Sequence, residues 1–295
     1  MRTANLKIRP YIEYLARKIG YELVGEGNKL INFSEFKLYS RKLPKEICQE
    51  NIDPYFSPVS VEIEAITSRV GFSFSRNDWH PFVETLKEYK LNSNLLYEDS
   101  TLAKLYCRYT PQNVQEVLTD QLSTPQKPLC DWPPKYKLIS WIWTLNHTRV
   151  NRILKHIQNR KKNDGWIYYG PHDLSYGKNE FDRLIKVYNS IKYNGYSSNL
   201  SKSDPVSGYF LKKGKEIRFV LLEGNHRVSA LQALGHKKVN VLIRKGHPAI
   251  VDYEKLHFWT KEEGGLYPSI LLKQVFDNLF YGTGLDKARR YRLNI

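Results

Sequence analysis

Phe219-Val220-Leu221-Leu222-Glu223-Gly224-Asn225-His226-Arg227-Val228-Ser229-Ala230-Leu231-Gln232-Ala233-Leu234-Gly235 is the stretch on which the fold turns. The apolar run up to Leu222 reads as a strand. Gly224 permits a backbone bend that a residue with a Cβ resists. A short helix follows, read from Arg227 to Leu234 and stopped by Gly235. The first N–H groups of such a helix have no intrahelical acceptor. With the positive end of the helix dipole they form an anion site. Arg227 adds a planar fork suited to phosphate or carboxylate oxygens, and His226 adds a second donor and a proton carrier near neutral pH. Gly224, Asn225, His226, Arg227 and Ser229 are therefore the expected phosphate-binding residues. The same letters also spell an ordinary strand–turn–helix, with Asn225 as the cap and an exposed Arg227.

Outward from this segment the pattern stays regular. Gly208–Leu211 and Ile217–Leu222 flank Lys212-Lys213-Gly214-Lys215 as a β-hairpin, and Val239–Ile243 reads as a further strand. Phe181, Leu184, Ile185, Tyr188 and Ile191 recur at helical spacing within an amphipathic helix from Glu180 to Tyr193, with Gly195 just beyond it. Trp166-Ile167-Tyr168-Tyr169 reads as a short strand before Gly170-Pro171. Upstream, Leu138–Gln158 reads as one helix whose cationic side carries Arg149, Arg152, Lys155, His156 and Arg160, running on into Lys161 and Lys162. Such a face suits both a binding role and a solvated helix C-terminus.

A proline-bearing stretch from Ser123 to Lys135 suggests a boundary. Before it, Tyr11–Ile19, Phe82–Tyr89 and Asn113–Leu122 read as helices and Val59–Ile66 as a half-buried strand. After residue 246, Pro268–Phe280 is helical in pattern. The expected division is 1–130 as an N-terminal α/β region, 131–164 as a basic helix and linker, 165–246 as the domain that carries the chemistry, and 247–295 as a helical extension.

The 295 residues are 41% hydrophobic and 13% aromatic, enough for a real core, which excludes wholesale disorder. Lysine and arginine number 46 against 30 acids, a net charge of +16. That charge favours anionic partners such as nucleic acid, nucleotide phosphates or an acidic substrate. Cys48, Cys107 and Cys130 are widely spaced and form no CxxC pair, which fits a reducing compartment. No apolar leader opens the chain and no stretch approaches the ~20 apolar residues of a membrane span, so a cytoplasmic protein is expected.

The Gly224-Asn225-His226-Arg227 box, with Ala230 and Gly235 at their later places and Ser190-Ile191-Lys192-Tyr193-Asn194-Gly195 closing the preceding helix, resembles the ParB/sulfiredoxin superfamily. The resemblance covers about residues 165–245. It implies an α+β fold: a ParB-like mixed-sheet domain, here with an α/β N-terminal extension and a short helical C-terminal tail. It also implies nucleotide phosphate binding at the box. Sulfiredoxins carry a cysteine before His-Arg, where this chain has Asn225. Partition proteins add a helix-turn-helix domain, of which residues 247–295 show no clear sign. The small-molecule (free serine) kinase branch, with an acid before G-x-H-R, is nearest: Glu223-Gly224-Asn225-His226-Arg227.

A kinase on this scaffold needs a phosphate cradle, a carboxylate to hold Mg²⁺ or accept the proton of the attacking hydroxyl, and an acceptor surface. Glu223 is the first choice for the carboxylate and for the metal, and His226 for proton handling. Asp173, Glu180 and Asp182 are second choices, each also explicable as an acid near a helix start. The expected cofactors are ATP or another NTP with Mg²⁺. The expected substrate is an anionic or hydroxylated small molecule, with nucleic acid as the alternative partner and no membrane. Other chemistries lack their signatures: Gly208 to Gly214-Lys215 misses Walker A spacing, and there is no HExxH and no GxSxG.

Overall fold

The computed structural model describes residues 21–24, 29–32, 58–119, 129–134, 136–144, 151–153, 155, 165–196, 205–244 and 247–293. The helix expected at Tyr11–Ile19 and most of the cationic face (Arg149, His156, Arg160, Lys161 and Lys162) lie outside these residues. Arg152 and Lys155 are described and exposed.

The strands are β1 (Tyr21–Val24), β2 (Lys29–Asn32), β3 (Val59–Glu62), β4 (Ile66–Ser68), β5 (Ser207–Lys213), β6 (Glu216–Glu223), β7 (Lys238–Ile243) and β8 (Ile250–Asp252). The principal helices are α1 (Pro81–Leu91), α2 (Thr101–Arg108), α3 (Val114–Leu118), α4 (Tyr136–Ser140), α5 (Leu174–Asn194), α6 (Asn225–Ala233), α7 (Ser269–Tyr281) and α8 (Leu285–Arg290). β1 and β2 form an antiparallel pair of their own. The remaining strands make one open mixed sheet in the order β3-β7-β5-β6-β4, with β8 on β5. β5 and β6 are the expected hairpin, turning at Gly214 (φ 57°). β4 runs parallel to β6, Ser68 opposite Leu221, and β7 runs parallel to the start of β5, Leu242 opposite Ser207. The fold is thus mixed α/β with an open mixed sheet, compatible with the expected α+β class.

The expected boundary at residue 130 does not divide the sheet. The strands at both ends of its main path, β3 and β4, come from the supposed N-terminal region. Nor do the joins near 164 and 246 separate cores, since a single apolar cluster runs from Val59 to Leu293. Trp143 donates its indole N–H to the Tyr209 hydroxyl at 2.9 Å, Tyr267 donates its hydroxyl to the Leu138 carbonyl at 3.0 Å, and Asn278 donates to the Leu118 carbonyl at 2.9 Å. Buried polar groups are satisfied across each expected division.

Local readings shift for physical reasons. Val59–Ile66 is not one strand. Val59 and Val61 are buried and Ser60 and Glu62 exposed, but a 3₁₀ turn at Ile63–Ala65 breaks the run before β4. Of the long helix read from Leu138 to Gln158, residues up to Ser140 and residues 151–153 and 155 are helical, but the chain turns through Trp141–Thr144 between them. Ile142, Trp143 and Thr144 are buried in succession, which one helix face cannot do. Trp166–Tyr169 is a tight turn whose end residues exchange both N–H···O bonds at 2.8 Å, sinking Tyr168 and Tyr169 into the core. α5 opens six residues earlier than expected because Asp173 caps it. α1, α5 and α6 pack on one another, and α7 packs against β4 and the 3₁₀ segment Tyr253–Trp259. Among the described residues no helix is long and apolar enough to cross a membrane.

Candidate functional site

The site lies where β4, β6 and β7 end together. β6 stops at Glu223, and Gly224 takes a left-handed conformation (φ 96°, ψ 21°) as the N-cap of α6. A Cβ there would lie 2.9 Å from Val206 Cγ2, so the turn needs glycine for both its dihedral and its space. The helix starts at Asn225, two residues before the expected Arg227, and no side chain caps it. Asn225 is therefore not the cap. Its Oδ1 accepts a hydrogen bond from the buried Tyr168 hydroxyl, which ties the Trp166–Tyr169 turn to the first residue of α6. Gly224, His226 and Arg227 are partly exposed, and Asn225 is nearly buried. Ser229 is wholly buried within α6, with Val228, Ala230 and Leu231 beside it, and its Oγ has no hydrogen-bond partner among the described residues.

His226 is held from two sides. Its ring stacks on Phe82 with centroids 5.2 Å apart and planes 2° from parallel. Its Nε2 lies 3.0 Å from Glu180 Oε2, each side chain little exposed. The contact is close, but its alignment falls short of a hydrogen bond. Burial pushes the Glu180 carboxyl up, yet His226, Arg183 and His172 outweigh it and hold the carboxyl below its usual value. The structure thus joins two candidates that are far apart in the chain. It separates two others: Asp173 is exposed and occupied in capping, accepting from the Tyr176 N–H and the Ser175 hydroxyl, both at 2.7 Å, and Asp182 is exposed on α5. Those bonds, led by the one from Tyr176, lower the Asp173 carboxyl.

Glu223 has neighbours that sequence reasoning missed. Arg69, directly after β4, and Arg244, directly after β7, flank it with guanidinium nitrogens 3.8 and 3.7 Å from Glu223 Oε1. Arg69 is fixed: it donates to Ser140 Oγ at 2.8 Å and to the Leu222 carbonyl, and its guanidinium lies 5.4 Å from the Trp166 ring centroid. Burial lowers its pKa, with Tyr168 and then Glu223 opposing. A short strand ending in Ser68-Arg69, beside one ending in Ile243-Arg244, was the available signal, readable only once both were paired into one sheet.

The arrangement presents an uncapped helix start, a left-handed glycine and two arginines around one carboxylate. Donors of this kind suit an anionic group. They do not fit a protein-held cation: Glu223 is already compensated by two guanidiniums, and among the described residues no three of His, Cys, Asp and Glu cluster as a metal site. Comparison with protein-family models, with curated proteins and with solved structures finds no match to this chain.

Proposed function

We propose that the chain is a nucleotide-dependent phosphotransferase of the ParB/sulfiredoxin-like type, nearest the small-molecule kinase branch. It binds the phosphates of ATP or another NTP at Gly224-Asn225-His226-Arg227 and serves a small or sugar-like hydroxyl acceptor in the cytoplasm. The observation that carries this reading is the left-handed Gly224 opening α6 without a side-chain cap, at a strand edge lined by arginines. Backbone N–H groups, the helix dipole and guanidiniums then act together on one anion. The Phe82 stack and the nearby Glu180 carboxylate hold the His226 ring in place at the start of α6, where it can serve as a proton carrier. A Mg²⁺ ion held by the nucleotide's own phosphates would supply charge screening for the transferring phosphoryl group.

Thermal melting with ATP, CTP and GTP, each with Mg²⁺, tests the reading, because a ligand that prefers the folded state raises the midpoint. At least one nucleotide is expected to raise it, and Arg227→Ala to abolish both that rise and γ-phosphate release. A chain that binds no nucleotide ends the proposal. The alternative, a ParB-like nucleic-acid-binding protein with a regulatory nucleotide site, draws on the +16 charge and the exposed Arg152 and Lys155. It requires affinity for DNA or RNA that falls steeply with salt.

A further inference from the structure

We propose that Glu223 is a built-in occupant of a phosphate subsite formed by Arg69 and Arg244, displaced when the anion arrives. The inference rests on the phosphate-binding reading above and specifies which groups take the charge. Register brings the three residues together. Ser68 lies opposite Leu221, so Arg69 emerges beside Leu222 and Glu223. Glu223 lies opposite Ser207, and Ser207 opposite Leu242, so Arg244 emerges from the far side. Two cations therefore bracket one anion at the mouth of the Gly224 turn.

The pairing is loose. Separations of 3.8 and 3.7 Å exceed the ~2.8 Å of a direct guanidinium–carboxylate hydrogen bond. The Arg69 Nε–H is buried and has no acceptor among the described residues. These cations thus hold donor capacity that Glu223 does not use. The three differ in freedom as well. The Arg69 side chain is 14% exposed and tied to Ser140 and Leu222, whereas those of Glu223 and Arg244 are 44% and 45% exposed. Glu223 can swing toward water without unpacking any neighbour, and Arg69 cannot. A phosphate carries more charge and more acceptor oxygens than a carboxylate, so it displaces Glu223 and leaves the arginines in place. Glu223 meanwhile keeps two neighbouring guanidiniums from repelling each other in the empty site.

This reading reverses the usual expectation for an acid at a nucleotide site. Removing its charge strengthens binding. Titration calorimetry at fixed ionic strength with inorganic tripolyphosphate, and in parallel with ATP, is run on the full chain and on Glu223→Gln, Arg244→Ala and Arg244→Gln. Thermal melting establishes that each variant is folded. Glu223→Gln is expected to bind both probes about tenfold more tightly, and the Arg244 variants about tenfold more weakly. Equal affinity for the two probes assigns the binding to phosphates alone, and tighter ATP binding adds a nucleoside contact; the inference stands in both cases. If the unaltered chain binds but Glu223→Gln binds no better, the displacement idea is overturned while the phosphate site stands. If no protein binds either probe, both readings fall.

Discussion

His80 makes the fold sensitive to acid in a way that can be isolated. It is 1% exposed and caps α1, its Nδ1 accepting from the Phe82 N–H at 3.2 Å. The neutral ring therefore carries its hydrogen on Nε2, which is buried and has no partner among the described residues. Phe74 stacks on the ring at 4.1 Å, and Phe72 and Tyr168 meet its edges. Protonation would set donor against donor at Nδ1 and place a charge among aromatic rings. Burial, and then the nearby His226, lower the His80 pKa from 6.5 to about 3. Because the unfolded chain takes up this proton first, the stabilisation is complete above pH 6.5 and is lost as pH falls toward about 3. At about 1.4 kcal/mol per pH unit, the full effect is about 5 kcal/mol, a large share of the ~5–15 kcal/mol that holds a typical domain. Urea unfolding should be followed from about pH 7.5 to about pH 4.5 for the unaltered chain and for His80→Asn. Asparagine keeps a capping acceptor but does not titrate. The variant begins less stable, having lost the ring's packing, and the gap should close by about 2–3 kcal/mol by about pH 4.5. Carboxylates such as Glu180 are common to both proteins and cancel in the difference. Parallel stability curves across that range would refute the reasoning.

Two other substitutions probe the frame of the site. Gly224→Ala should lose about 1–3 kcal/mol of stability in denaturant titration, since alanine must enter a left-handed conformation and press on Val206; an unchanged midpoint would contradict the observed turn. A fragment of residues 165–246 should show no cooperative unfolding by circular dichroism, because Phe219–Leu221 lose their pairing with β4, and Val239 and Val241 lose β3; a cooperative melt would restore the boundary that the sheet denies.

What could be read in advance was what local pattern encodes. The hairpin around Gly214 and the apolar spacing of Phe181, Leu184, Tyr188 and Ile191 each follow from a short window, and the structure keeps them. Asp173 shows the limit of that approach. An acid before a helix serves a cap or a site equally well, and only the Tyr176 N–H at 2.7 Å decides for the cap. Glu180 and His226 were each visible as chemistry-bearing residues, but their pairing depends on how α5 lies against α6. Arg69 was invisible. Nothing in Ser68-Arg69-Val70 marks it until β4 aligns with β6. Trp141–Thr144 misled in the opposite direction, because helical spacing on either side concealed a run that tertiary burial pulls into a turn.

In the proposed site Arg69 would also tie stability to function. A guanidinium that is largely buried, tied to one carbonyl and one hydroxyl, and held away from its nearest carboxylate is a poor investment for folding. An apolar side chain of similar volume in such a place is often neutral or stabilising. The Trp166 ring and the Leu222 carbonyl offset part of the desolvation but leave Nε–H without an acceptor among the described residues. Groups held at a cost to the fold concentrate where an incoming charge completes them. At the end of β6 that cost yields a cation that cannot retreat, beside an anion that can. In the proposed site Glu223 offsets one of the two guanidinium charges while the site is empty, and an anion that displaces it would meet both arginines together with the start of α6.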